Sequence, residues 1–353
     1  MSTKSIAVGV IGAGGMGCRH ARNLHEMVSG SHVVAVADAD KGRASAVAAE
    51  CGGAGVFTDA ESLARDDSVE AVVIASPDHT HASLALECVR LGKPVLCEKP
   101  LAVSSGEALE VVRAEAALGR KLVRVGFMRR DDPRHARVKR IVDSEEIGRP
   151  LLVKGVHRNA APGPGTTTAS VVRNSAVHDF DSARWMMGEE IEAVHALGAA
   201  TDPASGILDL QTFHLALSGG ALAAIEVFVA ADYGYEVSAE VVGERGTVRT
   251  APHDSPVVRH RGSISQATDA DWLVRFEEAY VMELRRWVGD LRTGKEDGPD
   301  AWDGYVSLLA ADACVRSLET REPERIEPVE KPSLYAKKGA REIETEKVGG
   351  RSL

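Results

Sequence analysis

Gly12-Ala13-Gly14-Gly15-Met16-Gly17 ends an apolar run, Ile6–Ile11, and opens a stretch of helical spacing. Strand, glycine turn and helix in that order suit the cradling of a dinucleotide pyrophosphate. Gly12 permits the tight turn, Gly14 lets the backbone approach the phosphates, and Gly17 allows close helix–strand packing. The helix N-terminus adds free N–H groups and the positive end of its dipole. Asp38 stands 21 residues beyond Gly17, at the end of the next apolar run. A carboxylate there accepts hydrogen bonds from ribose hydroxyls and repels a 2′-phosphate, so NAD is expected over NADP, with Lys41 and Arg43 as the nearest bases. Glu98-Lys99-Pro100 follows directly on the apolar run ending at Cys97. Open α/β sheets bind ligands at that carboxyl edge, which aims Lys99 at the nicotinamide side of the crevice. On the tripeptide alone, a surface Lys–Glu pair is an equal reading.

These residues need a scaffold. Runs rich in Val, Ile and Ala recur at Ile6–Ile11, Val33–Ala37, Ala71–Ala75, Pro94–Cys97 and Leu122–Val125. Between them lie helically spaced segments such as Ala82–Leu91 and Gly106–Leu118. Runs without alternation are those of parallel strands covered on both faces. Their order predicts an α/β fold, with a doubly wound, Rossmann-type parallel sheet over residues 1–127. Past Met128 the pattern changes. From Ile207 to Val248 apolar and polar residues alternate (Phe213, Leu215, Leu217; Ile225, Val227, Val229; Val237, Ala239, Val241), with turns at Ser218–Gly220 and Gly243–Gly246. Alternation predicts a largely antiparallel sheet with one packed and one open face, in an α+β domain over 128–331. Trp272, Phe276, Tyr280, Leu284, Trp287 and Leu291 form a helical stripe, and a further helix is expected from about Trp302 to Leu318. Residues 332–353 read as a polar tail, loose or used in subunit contacts.

Composition narrows the field. A chain of 353 residues has room for two domains, and 44% hydrophobic with 27% charged residues excludes a disordered or fibrous protein. Against 52 acidic residues stand 42 basic ones, a formal charge of −10, which is the wrong sign for neutralising phosphates along a duplex. No nucleic-acid partner is expected. The five scattered cysteines (Cys18, Cys51, Cys88, Cys97, Cys314) contain no C-x-x-C pair and fit a reducing cytosol. No cluster has metal-ligand spacing, so no metal is expected. With no run of roughly 18 apolar residues and no cleavage region before Ile6, the expectation is a soluble, cytoplasmic protein without a membrane partner.

Gly12–Gly17, Glu98-Lys99-Pro100, Val125-Gly-Phe-Met-Arg-Arg130 and His178-Asp-Phe-Asp181 together resemble the glucose-fructose oxidoreductase and inositol dehydrogenase family (Gfo/Idh/MocA). The likeness runs from about residue 5 to about residue 333, and Phe127–Arg130, Tyr233-Gly-Tyr235 and Trp302-Asp-Gly-Tyr305 point to the inositol branch. The resemblance implies NAD-dependent oxidation of a ring secondary alcohol on a small polyol or sugar, myo-inositol first, by a homo-oligomer that is a tetramer. It assigns Lys99 to the reacting oxygen and His178 to the general base, a task that suits the titration range of histidine. Arg129, His157, Asn159, Asp181, Tyr235 and Trp272 fall to the ring-binding lining. Cofactor contacts extend from Gly12–Gly17 and Asp38 to Ser76, Pro77, His81, Glu98 and Lys99. Scyllo-inositol, an aminocyclitol or a pyranose sugar are alternative substrates, and a catalytically silent NAD-binding regulator is the alternative function.

Some of these residues have plainer readings. Trp272 belongs to the apolar stripe and fits the core equally well. Tyr233 and Tyr235 flank Gly234 on an expected strand, so both share a face and either is the contact. Asp181 also fits a solvated helix position, and His79 and His81 fit capping or surface roles. One position departs from the family pattern. Where the family has an aspartate four residues before the catalytic histidine, this chain has Asn174. One helical turn from His178, its amide oxygen can accept an imidazole N–H and fix the tautomer, so Asn174 joins the catalytic set. It adds no charge, and losing a carboxylate lowers a histidine pKa by roughly 1–3 units. Asp181, three residues after His178, is the candidate to compensate.

Overall fold

Val, Ile and Ala without alternation build strands buried on both faces, and six of them form the first sheet. In this computed structural model, which describes residues 5–250, 257–327 and 329–336, they are β1 (Ile6–Ile11), β2 (Ser31–Ala37), β3 (Gly55–Phe57), β4 (Ala71–Ile74), β5 (Val95–Cys97) and β6 (Val123–Val125). All neighbours are parallel in the order β3-β2-β1-β4-β5-β6. The order reverses between β1 and β4, the point at which a doubly wound sheet opens its ligand crevice. Helices α1 (Gly15–Glu26), α2 (Lys41–Glu50), α3 (Ala60–Arg65), α4 (His81–Arg90) and α5 (Ser105–Leu118) make the crossovers. Asp40, Asp59 and Ser104 cap α2, α3 and α5 by accepting from backbone N–H groups of their first turns. β3 is three edge residues, too short to show in the hydrophobic pattern.

Helix α6 (Pro133–Asp143) leads into the second sheet, which begins with β7 (Pro150–Arg158). Helix α7 (Thr168–Ser170) leads into a π-helical turn over Val171–Ala176 and α8 (Val177–Met187), and these last two pack on one face of that sheet. The remaining strands are β8 (Ile191–Ala199), β9 (Leu210–Leu217), β10 (Leu222–Phe228), β11 (Glu236–Gly243) and β12 (Thr247–Arg249). A separate hairpin pairs β13 (Val257–His260) with β14 (Ser263–Gln266), and β15 (Glu324–Arg325) closes the order β12-β11-β7-β10-β9-β8-β15. The sheet is antiparallel except where β7 runs parallel to β10. The alternation read from the sequence is real: Phe213, Leu215, Leu217, Ile225, Val227, Val237 and Val241 are buried on the helix-covered face. Strands β7 and β8 escaped that reading because Gly, Ala and His dilute their apolar positions.

The stripe expected as one helix is two, α9 (Trp272–Arg275) and α10 (Glu277–Thr293), broken at Phe276, and α11 (Ala301–Thr320) follows. α10 returns to the first sheet, where Leu284, Trp287 and Val288 share a core with Leu24, Val33 and Val36. α11 serves both cores: Trp302, Tyr305 and Leu308 pack with Leu101 and Val125, whereas Ala310, Ala311 and Cys314 pack with Phe213. The segment expected as a loose tail begins otherwise. Ser333–Tyr335 form a 3-10 turn, and buried Tyr335 donates its hydroxyl to Glu115 at 2.6 Å. The rest of the tail, from residue 337, lies outside the described residues. Among the described residues no helix is long and apolar enough to cross a membrane.

Candidate active site

β1 ends at Ile11 and α1 starts at Gly15, so the backbone must turn at once. Gly12 sits at φ +96°, and a Cβ there would lie 2.4 Å from the Ala75 carbonyl oxygen. At Gly17 a Cβ would lie 1.7 Å from the Gly12 carbonyl oxygen, so only glycine lets helix and strand meet. Gly14 and Gly15 face open space, and no side chain caps α1. Its first N–H groups are thus available to an anion, which fits a pyrophosphate. Asp38, at the mouth of β2, accepts from Ala13 N at 2.8 Å, Asp40 N at 2.8 Å and Arg43 Nη2 at 2.9 Å. Burial pushes its pKa up, but these hydrogen bonds hold it below the ordinary value. It stays a carboxylate beside the turn.

A cleft of about 750 Å³ opens at the switch point. Met16, Ser76, His81, Glu98 and Lys99 form one wall; Arg129, His157, Asn159, Asn174, His178, Tyr235 and Trp272 form the other. Most of the residues singled out in the sequence therefore meet. Pro77 does not border the cleft but begins the short turn Asp78–Thr80 beneath it. His81 is buried, with Nδ1 2.7 Å from the Pro100 carbonyl and Nε2 2.8 Å from that of Ser76. Both polar atoms are committed to protein, so His81 ties two loops together and offers no hydrogen bond to a cofactor. Lys99 Nζ donates to the Asn174 carbonyl at 3.1 Å. Burial lowers its pKa, with Glu98 and Asp78 opposing and Arg129 adding to the shift.

Beyond Lys99 the second wall is held by a carboxylate that the sequence reading missed. Arg129 Nη1 donates to Asp179 Oδ1 at 2.6 Å, and His157 Nδ1 lies 2.9 Å from Asp179 Oδ2 and 3.0 Å from Arg129 Nη2. All three residues are buried. The guanidinium only donates and the carboxylate only accepts, so one neutral ring cannot bond both through Nδ1. The shorter, charge-assisted contact to Asp179 gives Nδ1 the proton, Arg129 is then a mere neighbour of that atom, and Nε2 is left as an acceptor. Burial holds the His157 pKa below its ordinary value against the pull of Asp179. The signal was present in the sequence, since a buried arginine demands a counter-ion and His178-Asp-Phe-Asp181 offers two. The structure selects the other one. Asp181 is fully buried, away from the cleft, where Arg130 donates to both of its oxygens. It is neither a ring contact nor a partner for His178.

His178 is buried, its ring edge-on to Phe127 at 6.1 Å between centroids. Its Nδ1 has no hydrogen-bond partner among the described residues. Burial, then the charges of Lys99, Arg129, His157 and His135, push its pKa well below the ordinary value. The expected bond from Asn174 is absent. Val171–Ala176 is π-helical, with i→i+5 bonds, so position 174 is no longer stacked one turn before His178. Asn174 is exposed at the rim instead. Nor do Tyr233 and Tyr235 share a face: the chain turns at Gly234 (φ +141°), leaving Tyr233 65% exposed and Tyr235 2% exposed. Trp272 stands 37% exposed on the cleft wall while the rest of its stripe, Phe276 to Trp287, is core.

Residues 6–127 match the Gfo/Idh/MocA oxidoreductase family, NAD-binding Rossmann fold, and residues 135–249 match the Gfo/Idh/MocA C-terminal domain. The inositol 2-dehydrogenase of Rubrobacter xylanophilus is 54% identical over 94% of this chain and 96% of its own length. Inositol 2-dehydrogenase 1 of Saccharopolyspora erythraea is 46% identical over 94% of this chain and 99% of its own. Among solved structures, myo-inositol dehydrogenase from Lactobacillus casei in complex with NAD(H) and myo-inositol superposes with a TM-score of 0.90, at 30% identity, over 94% of this chain and all of that one. The apo scyllo-inositol dehydrogenase of the same organism gives 0.85 at 26% identity, over 92% of this chain and 99% of that one. In both of its sheets and along nearly its whole length, the chain belongs to the Gfo/Idh/MocA oxidoreductase family.

Proposed function

We propose that this protein is an NAD-dependent dehydrogenase that oxidises a ring secondary alcohol of a cyclitol, converting myo-inositol to 2-keto-inositol. One observation carries the reading: a lysine on one wall and a neutral imidazole on the other, its Nδ1 without a partner among the described residues, meet in a single cleft that Met16 of the glycine turn also lines. NAD, when bound along Gly12–Gly17 and Asp38, accepts the hydride. Lys99 holds the hydroxyl oxygen and stabilises negative charge as it develops there. His178, kept neutral by burial and by its cationic neighbours, takes the hydroxyl proton. Carbon thus loses a hydride and oxygen a proton, which leaves the ketone. His157 Nε2 accepts from a ring hydroxyl; Arg129, Asn159 and Tyr235 supply further polar contacts, and Trp272 a flat apolar wall. The similarity to inositol 2-dehydrogenases supports this substrate class.

The test is NAD reduction across a panel of polyols and hydroxy acids. Myo-inositol is expected to be turned over fastest, and faster turnover of lactate or malate would sink the assignment. Asn174 at the rim favours a second reading, the same chemistry on scyllo-inositol, an aminocyclitol or a pyranose, which the same panel separates. We further infer a cytoplasmic homo-oligomer, a tetramer. In support, the face of the second sheet opposite α8 exposes Leu197, His214 and Leu222. Sedimentation of the purified protein checks the assembly.

A further inference from the structure

Behind Lys99 the end of β5 faces α1 and α10 across buried ionisable groups to which the reaction assigns no step, Glu98 at the cleft wall and His20 and Glu283 behind it. Glu98 Oε1 lies 2.7 Å from His20 Nε2, and its Oε2 accepts from the Lys99 backbone N–H at 3.2 Å. The His20 ring of α1 meets Tyr280 of α10 edge-on at 6.0 Å between centroids, and Glu283 lies one turn further along that helix, so the charges of His20, His81, Lys99 and Glu283 all bear on the Glu98 carboxyl. Glu283 in turn faces Asp131 and Arg124. Glu283 is fully buried, and neither of its oxygens has a hydrogen-bond partner among the described residues; Nδ1 of His20 has none either.

Two carboxyls sharing one dry space do not both ionise. The partners decide which one does. His20, Lys99 and His81 together outweigh the burial of Glu98 and hold it below its ordinary pKa. Glu283 has burial and the charges of Glu98 and Asp131 against it, with only Arg124 in its favour, and is pushed well above its ordinary pKa. We propose that Glu98 and Glu283 form a carboxylate–carboxylic acid pair whose single negative charge, fixed by His20, keeps Lys99 cationic for the reaction. The Lys99 ammonium is itself partly desolvated and repelled by Arg129, with Asp78 as its other acidic neighbour. Without the Glu98 charge it would lose its proton at lower pH and cease to stabilise an alkoxide. Glu98 and Glu283 are positioning residues in this scheme. The scheme rests on the dehydrogenase reading for the role of Lys99, but not for the pair itself.

Three measurements test it. In infrared spectra of the wild-type protein, the C=O stretch of a protonated carboxylic acid is expected to persist at mildly alkaline pH and to vanish in Glu283→Gln; absence of that band overturns the pair. Because the folded protein must hold a proton that the unfolded chain releases, stability falls as pH rises above the ordinary Glu range. Glu283→Gln should therefore melt above wild type by a margin that widens with pH, and a margin independent of pH contradicts the assignment. Glu98→Gln should move the alkaline limb of kcat/KM to lower pH by roughly one unit. A limb that stays in place in a folded Glu98→Gln variant overturns the link to Lys99. Should no polyol or sugar be oxidised, the functional reading fails, and the infrared and thermal measurements still decide the pair.

Discussion

Two histidines face the same cleft from opposite surroundings. His157 is locked: Asp179 fixes its Nδ1 proton, Arg129 lies against the same ring edge, and β7 holds its backbone. His178 has a bare Nδ1 among the described residues, an aromatic edge for a neighbour and the charges of Lys99 and Arg129 in its field. Burial strips the proton from both, yet only one ring is held in a single tautomer. A locked imidazole suits holding a hydroxyl in place. One without a partner suits taking a proton and giving it up, because no carboxylate traps the imidazolium. The carboxylate expected beside the base thus sits beside the holder.

That contrast should be plainest in turnover. His178→Ala is expected to lower kcat on the order of a thousandfold, the usual worth of a general base, while His157→Ala raises KM with a smaller loss of kcat. Steady-state kinetics on both variants decide this, and equal losses of kcat would abolish the distinction. Asp179→Ala leaves Arg129 buried without its counter-ion and His157 without its acceptor, which should cost about 3–5 kcal/mol of stability. Asn174→Ala, at the exposed rim, should cost little, and denaturant melts measure both. At the cofactor end, Asp38 is a charge as firmly held as that of Asp179, so NAD should support turnover at least roughly tenfold better than NADP. Equal efficiency would mean that the Arg43 contact cancels the repulsion. The smallest effect is expected for Asn174→Asp. A carboxylate near His178 raises its pKa, so the acidic limb of kcat/KM, which lies below the ordinary histidine range in the wild type, should move to higher pH by up to roughly one unit. A limb that does not move would show that the π-helical turn aims position 174 elsewhere.

What the sequence disclosed followed the range of the forces involved. The glycine turn was legible because its constraint is local: a Cβ at Gly12 or Gly17 strikes backbone only a turn away or on the adjoining strand. Lys99 was legible because a strand's carboxyl end has a fixed place in an open sheet. The Arg129–Asp179–His157 triangle was not, since it needs β7, whose pattern is diluted, brought against α8. The choice between Asp179 and Asp181, and the loss of the Asn174–His178 bond, turn on helix phase, which residue spacing alone does not fix. The turn at Gly234 likewise separates two tyrosines that period-two spacing had put together.

The first core also has a history in time. It is completed by Leu284, Trp287 and Val288 of α10, by Trp302, Tyr305 and Leu308 of α11, and by Tyr335. A ribosome releases the glycine turn well before any of these residues. At roughly 5–20 residues per second, the nascent first domain waits on the order of ten seconds with its apolar groove uncovered. A fragment stopping at Phe127 keeps that exposure permanently. The residues that complete the core beneath the glycine turn are thus made well after the turn itself.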